Sequence, residues 1–87
     1  MRQSKQRQSN QPLKALGAAI RNCRLDQLMT QQQLSDGAHL HRTYITDVEN
    51  GLRNISYLTL QRISFALNFK MSQLILNAEI ILLHEEL

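Results

Sequence analysis

Between Thr30 and Gly51 the sequence starts a helix, stops it, starts a second and stops that one too. Whatever fold the chain adopts must therefore hold two very short helices joined by a tight turn. Thr30 and Gln33 form a capping-box pair, in which the threonine hydroxyl accepts a free backbone N–H and the glutamine side chain reaches back. Leu34 and Ala38 share the inner face of the helix that begins there, and it is expected to stop near His39. Leu40 then plugs the core, and His41 is placed to cap the next helix, about Arg42 to Asn50. Ile45 and Val48 supply its buried stripe, and Gly51 follows Asn50 where a left-handed stop is expected.

The rest of the chain reads as helix around this pair. Leu13, Leu16, Ile20 and Cys23 recur at helical spacing and continue toward Leu28, predicting a first amphipathic helix of about four turns with Cys23 as core filling. After Gly51 a polar link, Leu52 to Ile55, leads to Ser56 as the cap of a fourth helix. That helix contains Leu58, Leu60, Ile63, Ala66 and Leu67 and ends at Asn68. Lys70, Met71 and Ser72 open a fifth, apolar at Leu74, Ile75 and Ala78, with a pattern that continues through Ile81, Leu82 and Leu87. Residues 1–12, MRQSKQRQSNQP, hold one apolar residue and end at Pro12; they read as a flexible basic arm outside the core. The expected organisation is an arm at 1–12, a folded unit at 13–78 and a C-terminal helical segment at 79–87. The apolar run Ile80 to Leu83 in that segment should pack on the fifth helix or form a dimer interface. With 87 residues, no Trp, 5% aromatics, three Gly and one Pro, the chain suits a single all-α domain of compact helices.

Charge narrows the partner. The formal total is +3, but residues 1–24 carry Arg2, Lys5, Arg7, Lys14, Arg21 and Arg24 with no acid, whereas Glu79, Glu85 and Glu86 crowd the C-terminal end. A basic N-terminal part points to a polyanion, and nucleic acid is favoured because nothing resembles a membrane anchor or an apolar leader. One cysteine excludes an internal disulfide and a multi-thiolate metal site, and fits a cytoplasmic protein. His39, His41 and His84 with scattered carboxylates make no convergent catalytic or metal-ligating set, so neither enzyme chemistry, a metal nor a cofactor is expected.

With Ile45 and Val48 inward, spacing alone turns Arg42, Thr43, Thr46 and Asp47 outward, with Tyr44 and Asn50 on the flanks. A short, capped helix with a polar outer face, preceded by another short helix, is the geometry that enters a major groove. Arginine can bond guanine O6 and N7 together, and a threonine methyl can meet that of thymine. RNA is disfavoured, since its A-form major groove is too narrow for a helix and no aromatic stacking platform is present.

The stretch TQQQLSDGAHLHRTYITDVENGLRNIS, preceded by LGAAIRNCR and followed by the Ile63 to Leu67 helix, resembles the phage-repressor helix-turn-helix family (Cro, lambda repressor, xenobiotic-response-element). LHRTYITDVENGLRNIS looks particularly like the controller proteins of restriction-modification systems. The resemblance covers about Leu16 to Leu74 and implies a five-helix, lambda-repressor-like DNA-binding domain. It implies a homodimer on a pseudo-palindromic operator of double-stranded DNA, activating or repressing according to where that operator lies. By resemblance Arg42, Thr43 and Asp47 touch bases, Gln31 grips phosphate, and Glu49 pairs with Arg24 as a structural ion pair. Tyr44, Arg53, Asn54 and the cap at Ser56 are further phosphate candidates. Where the family usually has glycine in the turn this chain has His39, so a positive φ is expected on a histidine. A rival reading is an antitoxin-type module that sequesters a toxin and represses its own operon; toxin or RNA polymerase contacts stay open.

Overall fold

The computed structural model describes the backbone of residues 2–86 and the side chains of residues 10–85. Its elements are α1 (Arg2–Asp26), α2 (Gln31–Ala38), α3 (Arg42–Glu49), α4 (Tyr57–Ala66) and α5 (Met71–Glu86), with no strand among the described residues. Helices α1 and α5 pack along one another, α2 lies against α3 and α4, and α3 also rests on α1. Ile20, Leu34, Ile45, Ile63, Leu67 and Leu74 are the large side chains wholly removed from solvent. Together with Cys23, Val48 and Leu60 they draw one residue or more from every helix into a single cluster. Full burial of a Leu or Ile contributes about 1.5–3 kcal/mol, so this cluster is what holds helices of eight residues in place. A smaller seam of Ala15, Ala19 and Ala78 lets α1 and α5 approach closely. Burial pushes the Cys23 thiol above its usual range, which keeps it protonated and consistent with a filler role.

The helix ends follow one rule. Helices α1 to α4 each close with a residue in the left-handed region whose successor returns to a carbonyl one turn back. Met29 N–H donates to Arg24 O (3.0 Å), Leu40 to Ser35 O (2.9 Å), Leu52 to Asp47 O (2.9 Å) and Phe69 to Ser64 O (3.0 Å). The left-handed residues are Leu28 (φ 57°), His39 (57°), Gly51 (75°) and Asn68 (51°). Only one of the four is glycine. At His39 the expected positive φ is present, and Arg62 of α4 supports it by donating Nε–H to Ala38 O at 3.0 Å and Nη2–H to His39 O. Because the imidazole is exposed and the backbone is strained, His39→Gly should stabilise the fold by about 1 kcal/mol, read as a higher urea midpoint. An unchanged midpoint would show that the turn carries no φ strain.

Four expectations need correcting. Helical backbone reaches back to Arg2, so residues 2–12 are not irregular; Gln, Lys and Arg are good helix formers, and Pro12 removes one intrahelical donor without ending the helix. The boundary of the core is nonetheless near Leu13, since Asn10, Gln11 and Pro12 are exposed and Leu13 is the first half-buried side chain. The side chains of Arg2, Lys5 and Arg7, and Leu87 altogether, lie outside the described residues. Leu28 does not extend the stripe of α1: the helix ends at Asp26, and Leu28 in its closing turn is 91% exposed. Leu58 lies on α4 but on its outer side, exposed like Phe65. The Ile80 to Leu83 run belongs to α5 itself, with Ile81 and Leu82 packed toward the alanine seam and Ile80 and Leu83 exposed. No single described helix is long and apolar enough to cross a membrane.

Candidate nucleic-acid interface

Helix α3 is set by its caps. His41 Nδ1 accepts the Thr43 N–H at 3.2 Å, and the Gly51 closure ends the helix after two turns. Upstream the capping box of α2 is complete: Gln33 N–H donates to Thr30 Oγ1 (3.0 Å), and Thr30 N–H to Gln33 Oε1 (2.8 Å). At about 100° per residue, the buried positions Ile45, Val48 and Glu49 put Thr43, Asp47 and Asn50 at the centre of the opposite face. Arg42 and Thr43, in the first turn, are exposed. Arg42 and Lys14 enter no ion pair among the described residues.

Behind that face runs a polar network. Arg24 on α1 holds Glu49 on α3 through Nε to Oε2 at 2.6 Å and Nη2 to Oε1 at 3.0 Å, with side chains 8% and 3% exposed. Arg24 Nη1 also donates to Met29 O at 2.8 Å. The amide of Gln31 then links the pair to the outer surface: its Nε2 donates to Glu49 Oε1 at 3.0 Å, and its Oε1 accepts the Thr46 hydroxyl at 2.9 Å. Among the described residues no buried side-chain nitrogen or oxygen is left without a partner, so the network is closed.

The site residues read from sequence are thus sorted by the tertiary structure. Arg42, Thr43, Asn54 and, in part, Tyr44 stand on the surface. The Arg24 and Glu49 ion pair forms, and it does so through two hydrogen bonds. Gln31 and Thr46 are half-buried and bonded to each other, Gln31 also to Glu49 at 3.0 Å and Thr46 also to Arg42 O at 3.2 Å. Ser56 Oγ caps α4 by accepting the Thr59 N–H at 3.1 Å. Asp47 and Arg53 meet, Nε to Oδ2 at 3.3 Å, and the same guanidinium stacks over the Tyr44 ring at 5.2 Å from its centroid.

Some contributors escaped sequence reasoning. Arg62 braces the turn between α2 and α3, and Gln27 Nε2 donates to Leu67 O at 2.7 Å across the fold. Neither has a local signal, because each partner is a distant backbone carbonyl. Gly17 had one, a glycine inside an apolar helical stripe; an added Cβ there would meet Val48 O at 2.3 Å. Gly51 likewise lies against Lys14, whose Cγ would be 2.6 Å from an added Cβ, so a basic side chain of α1 borders the loop that follows α3.

Comparison with known proteins is consistent with this geometry. A helix-turn-helix family model matches residues 20–74. Control protein C.BamHI of Bacillus amyloliquefaciens is 40% identical over 60 residues, covering 68% of this chain and 74% of that protein. The competence pilus inhibition repressor of Acinetobacter baylyi is 39% identical over 64 residues, covering 74% of this chain and 58% of the repressor. Among solved structures, the restriction-modification controller protein C.Esp1396I, as a tetramer in complex with its natural 35 base-pair operator, superposes with a TM-score of 0.69. It is 30% identical, with 77% of this chain and 93% of that one covered.

Proposed function

The chain belongs to the helix-turn-helix family, and from that premise we propose that it is a transcriptional regulator that reads double-stranded DNA with α3 in the major groove. The observation that carries this is the outer face of α3: polar, exposed, capped at both ends and braced from behind by a closed network. Arg42 and Thr43 are the base readers, by guanine O6 and N7 and by the thymine methyl. Thr46 stands beside them with its hydroxyl committed to Gln31, so the hydroxyl braces the helix. Tyr44, Arg53 and Asn54 flank the groove as phosphate contacts, and the first turn of α2 at Gln31 offers backbone N–H groups and the positive end of a helix dipole. Lys14 adds positive charge beside the loop after Gly51.

The protein acts as a homodimer in this reading, because two copies of α3 one helical turn apart, about 34 Å, match a pseudo-palindromic site. Exposed Leu58, Phe65, Leu76, Ile80 and Leu83 on α4 and α5 provide apolar surface for it. It is a binding module rather than an enzyme, and works in the cytoplasm where DNA is accessible. The antitoxin alternative finds no support in the relatives, whose names describe control and repression.

Selection of bound duplexes from a random pool at physiological salt tests the whole reading. An enriched inverted repeat with half-sites about one turn apart is expected; recovery of no preferred sequence by the folded protein would overturn it. On the enriched duplex Arg42→Ala should cost about 1–3 kcal/mol and relax base preference. Equal losses on enriched and random DNA would remove Arg42 from the base readers.

A further inference from the structure

We propose that Asp47 is a positioning residue that aims Arg53 at a backbone phosphate, rather than a reader of a base. The inference rests on the DNA-binding reading above and assigns a different task to one of its surface residues.

Asp47 lies near the centre of the outward face of α3, where a carboxylate is electrostatically misplaced beside phosphates. Its surroundings explain its presence. The Gly51 closure, with Leu52 N–H on Asp47 O at 2.9 Å, folds the chain back over the helix it has just left. Arg53 is thereby delivered to the Asp47 side chain, and Oδ2 accepts its Nε–H at 3.3 Å. On its other side the guanidinium plane is supported by Tyr44, 5.2 Å from the ring centroid. Two independent contacts thus hold a side chain that is otherwise among the most mobile in proteins. The Nε edge faces the carboxylate, while the Nη groups enter no ion pair among the described residues. The Arg53 side chain is still 53% exposed and that of Asp47 only 28%, so the cation, not the anion, is the group presented outward. Phosphate is the matching acceptor, since backbone contacts fix register without reading sequence.

The consequence is a sign reversal. Asp47→Asn removes a negative charge from a DNA-facing surface, and Coulomb attraction alone would tighten binding. Aiming predicts the opposite: affinity for the selected duplex and for random duplex should fall together, by about three- to tenfold, as Arg53 loses its support. In an Arg53→Ala background the same substitution should no longer weaken binding. The thermal midpoint should stay within about 3 °C of wild type, because an exposed pair adds little stability. Full-length wild type, D47N, R53A and the double variant are compared by titration on both duplexes, with selection repeated for D47N. Tighter or unchanged binding by D47N overturns the proposal. So does a changed preferred sequence that persists without Arg53, which would make Asp47 a base reader. Failure of the wild type to prefer any duplex would instead overturn the DNA-binding reading on which the proposal stands.

Discussion

Glu49→Ala should lower the stability of the fold by about 3–5 kcal/mol, enough to unfold a large share of molecules at ordinary temperature. The substitution leaves Arg24, 8% exposed at its side chain, as a buried guanidinium whose remaining partner is the Met29 carbonyl. It also frees the Gln31 amide, which Glu49 Oε1 holds at 3.0 Å, and through it the Thr46 hydroxyl. The loss is large because an unpaired buried charge is costly, not because the pair itself adds much: two charges taken from water repay their desolvation only in part. Replacing both partners, as Arg24→Met with Glu49→Leu, should therefore recover most of the stability that Glu49→Ala loses. Thermal unfolding followed by circular dichroism measures both, with a fall of more than about 12 °C expected for the single variant. A single variant as stable as wild type would show that Arg24 finds other partners and that the network does not lock α3 to α1.

The second large effect is at Gly17, and its sign is what makes it informative. Inside an exposed helix, Gly→Ala gains about 1 kcal/mol of helix propensity. Here the new Cβ would lie 2.3 Å from Val48 O and 2.7 Å from Glu49 O, both backbone atoms that no rotamer change can move. Helix α1 must then back away from the end of α3 by about 1 Å to restore ordinary contact, stretching the Arg24 to Glu49 bonds and loosening Ile20. We expect an overpacking cost of about 4 kcal/mol and a net loss of about 3 once propensity is counted. Gly37→Ala is the control: its Cβ would meet only Ala66, with Cβ at 3.2 Å and Cα at an ordinary 3.8 Å, and the two effects should nearly cancel. Equal urea midpoints for the two variants would contradict the close approach of α1 to α3.

Both predictions concern how α3 is held, and the holding parts were unevenly legible. The Arg24 to Glu49 pair came from family resemblance and is present in full. Gly17 carried a composition signal that periodicity alone does not interpret, since a glycine in an apolar stripe marks a close neighbour without saying which. Arg62 carried none: an exposed arginine on a helix looks like any solvated charge until the turn it braces is brought beneath it. Gln31 and Thr46 show something else that sequence does not convey. Their place on the two short helices was read correctly, but helical spacing assigns a direction to a residue, not to its polar atoms, and docking of α2 on α3 turned those atoms toward each other.

What the amino-acid order determined by itself was local. The capping box at Thr30, the caps at His41 and Ser56 and the stop at Gly51 each depend on groups within a few residues, where chain geometry leaves few alternatives. The all-α class and the inner stripes of α2, α3 and α4 follow from the same short-range periodicity. Tertiary packing alone decided which outward side chains remain free. It paired Asp47 with Arg53 over Tyr44, bonded Gln31 to Thr46, left Leu58 and Phe65 exposed on α4 and ran α5 unbroken against α1. Those outcomes depend on contacts between residues far apart in the chain, and such contacts exist only after loop closure and burial have fixed where the helices lie.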